Sequence, residues 1–332
     1  MAAANSAAFT KVGTHTVINQ DTAFARHEIL AGTARVAVAA VFDGHGLLGE
    51  VASQVAAEAL PASVASETSW TDQPEDAMRR VMSALQKAVI DAHDPGTLPK
   101  TYVHQAGEKS TTYTLSADGR AYVCSTSSAQ GMAAGRSAPV DFGCTAAVAV
   151  LVLQTRTLVI GNVGDSAVLL CSASQTGDEL SVSPMSVTHA ASEPAEMRRL
   201  AITCAAGGHA RLIDGYLQAI RGQLRGHSLQ PTRGLGHPVW ASYGISCEPH
   251  VASVVVSDSV DGVSDRFAFA VVVLSDGITD VLDETAILDA VAQAESAEVA
   301  ACTLVEDAAS LADVTTGGSD RDDASAAIIW WG

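Results

Sequence analysis

Three widely separated apolar segments are each edged by an aspartate set beside glycine or a polar turn, and this repeated pattern constrains the chain most. Ala34–Phe42 is short, apolar and β-branched, which predicts a strand ending at the turn Asp43-Gly44-His45-Gly46. Val271-Val272-Val273-Leu274-Ser275 leads into Asp276-Gly277, and Asp322 stands in a Gly- and Asp-rich turn just before Ser325–Trp331. A hard cation such as magnesium or manganese takes carboxylate, carbonyl and water oxygens, commonly from the ends of several strands. Taken singly, each aspartate reads first as a turn residue or helix cap. Their combination points to metal, with the Gly44 carbonyl able to face outward beside Asp43.

Between these endings a helix is expected at about 48–60, stopped by Pro61. Thr71 or Asp72 can cap a second helix with Pro74 in its first turn, carrying Met78, Val81, Leu85, Ala88, Val89 and Ala92 at helical spacing. The stretch from about 94 to 140, rich in Gly, Ser, Thr and Ala, reads as a long, partly mobile insertion. Cys144–Leu153, Thr157–Ile160 and Ser166–Ser172 read as a strand meander, with Asn162–Asp165 as one tight connection in which Asp165 satisfies backbone amides. A helix over Ser192–Leu200 and an irregular flap over 201–236 follow, then strands at 251–257 and 267–274. Helices from Asp283 or Glu284 to about 294 and over 296–312 precede the final strand, Ser325–Trp331. Two β-rich blocks, each with a helix pair, predict packed sheets with helices outside, read as one domain over 1–332.

Composition narrows the function classes. With 332 residues and 48% hydrophobic content the chain can bury a large core. The net charge of −18, from 37 acidic and 19 basic residues, argues against a nucleic-acid partner, because phosphate-backbone binding draws on clustered Lys and Arg. The N-terminus lacks the basic start and apolar stretch of a secretory signal, and no later run approaches the ~20 apolar residues that span a bilayer. The expectation is a soluble intracellular protein, cytoplasmic or nuclear, with no membrane partner. Six scattered cysteines suggest neither a disulfide framework nor a zinc site. Gly44, Gly46 and Gly49 match the glycine spacing of a dinucleotide-binding turn. That reading also needs a second parallel strand ending in an acidic residue about 20 positions on, where this chain has Pro61 and another helix.

The ordered segments resemble, over nearly the whole chain, the type 2C metal-dependent serine/threonine protein phosphatases. Asn19-Gln20-Asp21, Phe42–Gly46, Gly143–Ala146, Asn162–Ser166, Thr232–Gly236 with Glu248-Pro249, Leu274–Gly277 with Asp280–Leu282, and Asp322–Ser325 resemble seven family motifs in order. The resemblance implies an α/β (α+β) fold, a central antiparallel β-sandwich flanked by helix pairs, with two Mg2+ or Mn2+ ions at one end. Asp43 would bridge both ions, the Gly44 carbonyl would bind one, and Asp276 and Asp322 would complete the other. Gln20 and Asp21 belong to the first acidic motif, Asp141 would join Asp276 around a third, weaker ion, and His45 would protonate the leaving seryl or threonyl oxygen. The partner implied is a phosphorylated protein substrate; the sequence leaves the oligomeric state open, with a monomer as the expectation.

The chain departs from the pattern at the phosphate-gripping side. Gln20 stands where the family has Glu, keeping an oxygen acceptor without the charge, and Thr16 stands where an Arg would clamp the phosphoryl group unless His15, Arg26 or Arg35 moves in. His237 and Asp323 replace a common Asp and Asn. A second reading is therefore a pseudophosphatase that keeps the fold as a binding or scaffold module.

Overall fold

Side chains alternate between two apolar faces along single strands, so each sheet has to be covered on both sides. In Ala34–Phe42 the residues Val36, Val38, Ala40 and Phe42 join one buried cluster, while Ala37, Ala39 and Val41 join another. The computed structural model describes residues 4–14, 17–106, 109–125, 135–173, 180–256, 269–318 and 321–331.

Strands β1 (Ala4–Lys11), β2 (Thr22–Ala31), β3 (Ala34–Phe42) and β4 (Gly44–Gly46) open the chain, followed by helices α1 (Gly49–Ser66) and α2 (Pro74–Asp91). Next come β5 (Thr101–Ala106), β6 (Lys109–Leu115), β7 (Ala121–Cys124) and β8 (Ser137–Pro139), paired in that order as an antiparallel meander. β9 (Phe142–Cys144), β10 (Ala146–Val152), β11 (Thr157–Val163), β12 (Ala167–Ala173) and β13 (Leu180–Pro184) lead to α3 (Pro194–Gly207). The rest is β14 (Ala210–Ile213), β15 (Tyr216–Ala219), β16 (Ser228–Leu229), β17 (Leu235–Gly236), β18 (His250–Val255), β19 (Phe269–Leu274), α4 (Asp276–Thr279), α5 (Glu284–Gln293), α6 (Ala297–Thr316) and β20 (Ala324–Trp331).

Two five-stranded sheets, β18-β11-β10-β3-β2 and β1-β20-β19-β12-β13, form the centre. Every strand pair in both is antiparallel. Between them Ala37, Ala39, Ala147, Ala149 and Ala327 interleave with Val41, Ile160, Val271 and Ile329. Leu60, Val64, Met78, Val81 and Leu85 of α1 and α2 cover the outer face of the first sheet. Ile278, Ile287, Val291, Leu304 and Val305 of α4, α5 and α6 cover that of the second. The order of layers is α-β-β-α, the expected sandwich. No described helix is long and apolar enough to cross a membrane.

Several elements differ from expectation for physical reasons. α1 runs through Pro61 to Ser66, because Leu60 and Val64 are fully buried on the sheet. Those two side chains contribute about 1.5–3 kcal/mol each, which offsets the ~3 kcal/mol of an interior proline. The 94–140 stretch holds β5–β8, whose Tyr102, Tyr113 and Tyr122 are buried in the same cluster as the core residues of α1 and α2. α3 continues to Gly207, and the expected flap at 201–236 contains β14–β16 with their own cluster of Leu200, Leu217, Leu224, Trp240, Tyr243 and Ile245. β1 and β2 were not foreseen: β1 is Ala- and polar-rich and pairs with β20 alone, and a bulge between Arg26 and Ile29 breaks the alternation of β2.

Candidate metal centre

The end of β3 is pinned by a hydroxyl. Asp43 N–H donates to Thr145 Oγ1 at 3.0 Å, Thr145 N–H donates back to the Asp43 carbonyl at 2.8 Å, and Thr145 Oγ1 lies 2.7 Å from Ser166 Oγ. The small sheet β17-β9-β4 holds the following residues, pairing Gly44 with Cys144 and His45 with Gly143. Gly44 and Gly49 touch backbone to backbone: a Cβ on Gly44 would stand 2.3 Å from the Gly49 carbonyl oxygen.

In the Asn162–Ser166 turn the expected roles are redistributed. The Asn162 side chain does the stapling, donating from Nδ2 to the Val187 carbonyl at 2.7 Å and accepting the Val187 N–H at 3.3 Å. Gly164, at φ +98°, passes so close to Thr145 that a Cβ would lie 2.4 Å from Thr145 Cγ2. Asp165 is thereby left aimed at the site, with both carboxylate oxygens buried and no hydrogen-bond partner beyond its own main chain.

Carboxylate oxygens of Asp43, Asp165 and Asp276 all lie within 4.8 Å of one another. Asp276 opens α4, and Gly277 lets that turn meet the Asp323 carbonyl, which would sit 2.0 Å from a Cβ. Burial, then the Asp276, Asp21 and Asp165 charges, push the Asp43 carboxyl well above its usual range. Burial, then Asp165 and Asp322, do the same to Asp276. Asp165 is raised to about 6 by burial and then by Asp280 and Asp322, against the pull of its own amide. Asp21 is raised to about 7, mainly by burial; hydrogen bonds to Ser275 and Ser325 oppose this, and Asp323 and Asp322 add to it. Its Oδ2 is buried without a partner. Asp322 is exposed at the rim, its Cβ 3.4 Å from the Cβ position of Gly277. Hard oxygen donors with unpaired lone pairs and mutual repulsion are what a divalent cation relieves, so the residues present fit such an ion.

A family model, protein phosphatase 2C, matches residues 9–315. The chain belongs to the protein phosphatase 2C family. No curated protein matches it in sequence. Among solved structures it is similar to the Toxoplasma gondii serine-threonine phosphatase 2C, at 16% identity and a TM-score of 0.67 over 99% of this chain and 95% of that one. It is similar to a C. elegans sex determining protein at 18% identity and 0.64, over 99% of this chain and 65% of that one. The Mycobacterium tuberculosis serine/threonine phosphatase aligns at 16% and 0.54, over 98% of each chain. The structural likenesses establish the fold, and family membership supports serine/threonine protein phosphatase function and metal dependence.

Within this phosphatase 2C frame the departures find partners. Asp323, in place of Asn, accepts the Gly13 N–H on one oxygen and the Gln20 N–H on the other, both at 2.7 Å; an amide has only one oxygen to offer. Gln20 Nε2 donates to the Gly46 carbonyl at 3.0 Å and to Glu50 Oε2 at 3.1 Å. Glu50, in the first turn of α1, went unnoticed in the sequence, where it reads as ordinary first-turn acid. His15 and Thr16 lie outside the described residues. Arg35 pairs with Glu28 and begins β3, about 26 Å along the strand from Asp43, and Arg26 pairs in register with Val38, about 16 Å away. Both stand well along the sheet from Asp43.

Asp141 stands outside the close carboxylate group. Its Oδ1 accepts the Val239 N–H at 2.6 Å and its Oδ2 lies 3.3 Å from His237 Nδ1, so both oxygens are committed. The carboxylate found beside Asp276 is Asp165 instead. His45 Nε2 lies 3.8 Å from Asp43 Oδ1, and its Nδ1 is buried without a partner. Burial first, then the neighbouring His237, lower its pKa to about 3, so the imidazole is neutral at pH 7.

Proposed function

We propose that the protein hydrolyses phosphoserine and phosphothreonine in proteins, using two Mg2+ or Mn2+ ions. The observation that supports this is the close group Asp43, Asp165 and Asp276, with both Asp165 oxygens unpartnered. Asp43, the Gly44 carbonyl, Asp276 and Asp322 would hold the two ions, with Asp21 and Gln20 beside them, and Asp165 rather than Asp141 would serve a third ion with Asp276. Bound there, such ions lower the pKa of a water and neutralise phosphate charge, so that no Ser or Cys nucleophile is needed. Thr145 and Ser166 keep Asp43 in place while the site is loaded. His45, neutral and against Asp43, would donate its single ring N–H toward the leaving oxygen.

The test is hydrolysis of an aryl phosphate and of a phosphothreonine peptide with and without manganese, beside calorimetric manganese titration. Manganese-dependent turnover is expected; saturable manganese binding with no turnover replaces this reading with a binding module.

The Gln20–Glu50 contact makes a separate prediction. Gln20→Glu would put a second carboxylate where an amide N–H now serves Glu50 and the Gly46 carbonyl. The single variant should lose about 1–2 kcal/mol in thermal unfolding without manganese, and Gln20→Glu with Glu50→Gln should recover most of it.

A further inference from the structure

A cleft leads away from the metal centre between the β5–β8 meander and the β14–β16 unit. Its inner end, about 120 Å³, is lined by Gly46, Asp141 and His237 beside His45, and by His227. Its outer mouth, about 570 Å³, shares His227 and is lined further by Arg136, Arg225 and Gln223. Among the described residues no acidic side chain lines this mouth, in a chain with 37 acidic residues against 19 basic ones. Arg136 and Arg225 are both exposed, and among the described residues neither has a carboxylate in ion-pair reach.

The two guanidinium groups stand on built backbone. The Arg136 carbonyl accepts the Cys124 N–H at 2.9 Å beside β7, and Arg225 sits in a turn between Gly222 and Gly226, both in the left-handed region at φ +78° and +87°. His227 lines both the outer and the inner end; burial first, then the Arg136 charge, lower its pKa, while Asp141 raises it.

We propose that this mouth binds acidic or phosphorylated residues flanking the phosphoresidue that occupies the metal centre, with Arg136 and Arg225 as specificity-determining groups. Planar guanidinium forks pair with carboxylate and phosphate oxygens in a bidentate manner, and unpaired arginines on an acidic protein attract such groups at short range. The mouth also supplies, from the meander and the β15–β16 turn, positive charge that the first motif lacks at Thr16. The inference rests on the phosphatase reading for what occupies the metal centre.

The experiment uses labelled phosphothreonine peptides flanked by aspartates, by lysines, or by a second phosphoserine, on the full chain with manganese. The ratio of kcat/KM for the aspartate over the lysine peptide should be about tenfold or more, should shrink as KCl rises, and should fall to about one or two in Arg136→Ala/Arg225→Ala. Arg136→Lys/Arg225→Lys should keep most of it, and the phosphoserine arm shows whether phosphate outperforms carboxylate. A native enzyme without the preference, or a double Ala variant that keeps it, overturns the proposal. If the native protein turns over neither aryl phosphate nor peptide, the phosphatase reading fails instead. Fluorescence anisotropy of the aspartate peptide in EDTA then decides the cleft: a Kd raised about tenfold in the double Ala variant sustains it, and an unchanged Kd overturns it.

Discussion

Asp276→Asn should lower manganese-dependent hydrolysis of an aryl phosphate by at least about 100-fold, because a cation held by too few charges loses several kcal/mol of transition-state stabilisation. The same variant should be more stable than the native protein in EDTA. Asp276 is raised well above its usual pKa by burial and by Asp165 and Asp322, so ionising it at neutral pH costs the folded state free energy that an amide does not incur. Native protein should gain about 2.7 kcal/mol at a manganese concentration 100 times the dissociation constant, and Asp276→Asn should lose most of that gain. A structural aspartate would behave in the opposite way, destabilising when replaced and indifferent to manganese. Asp141→Asn supplies the contrast: its oxygens hold His237 and the Val239 amide, so the expected loss is of stability, about 1–3 kcal/mol, with the manganese-induced gain retained.

Glu196→Gln is expected to cost about 3 kcal/mol of stability. Glu196 in α3 is 3% exposed and faces Arg199 and Arg233, with Thr232 donating its hydroxyl at 2.7 Å. Burial alone would raise its pKa, but hydrogen bonds from Arg233, Arg199 and Thr232 outweigh it and hold the carboxyl at about 2 against 4.5. That depression corresponds to about 3 kcal/mol, at the low end of what breaking a buried ion pair costs. Arg199 also donates to the Gly244 and Thr232 carbonyls and Arg233 to the Glu248 carbonyl, so one carboxylate ties α3 to the 232–248 segment. The sign follows from a depressed carboxylate: the stabilisation is complete above about pH 4.5 and is lost as pH falls toward 2. Thermal unfolding of native and variant should differ most above pH 5 and converge on acidification. A pH-independent gap would show that the lost packing, not the charge, matters.

The parts of this fold legible in one dimension were those in which local pattern and burial agree. β3, β19 and β20 are runs in which both faces are covered, apolar at every position but Arg35 and Ser325, so the run itself announces the strand. Their terminal aspartates follow, because a strand end beside glycine is where a carboxylate can leave the core. β1 and β2 were hidden because edge strands leave one rim to solvent and carry polar residues or bulges there, and β5–β8 because they are short, with a Thr-rich β6, and look like loop until Tyr102, Tyr113 and Tyr122 find a core. Asp165 could not be assigned along the chain: whether it serves its own turn depends on Asn162 reaching Val187, 25 residues away. The same holds for Gln20, whose partner Glu50 comes from another element, and for Asp141, whose oxygens are claimed by His237 and Val239 from nearly a hundred residues away.

By itself the sequence determined the inner sandwich strands such as β3, β10, β19 and β20, the family motifs, and the places of Asp43, Asp276 and Asp322 at strand edges, because each is set by hydrophobic period and by neighbours one or two residues off. Only the tertiary structure decided which carboxylates meet, since Asp43 follows β3, Asp165 lies between β11 and β12 and Asp276 opens α4, and they converge within 4.8 Å solely through long-range packing. It also decided which charges stay free. Ion pairing is a matter of distance in space, and Arg35 is matched to Glu28 while Arg136 and Arg225 face an open cleft.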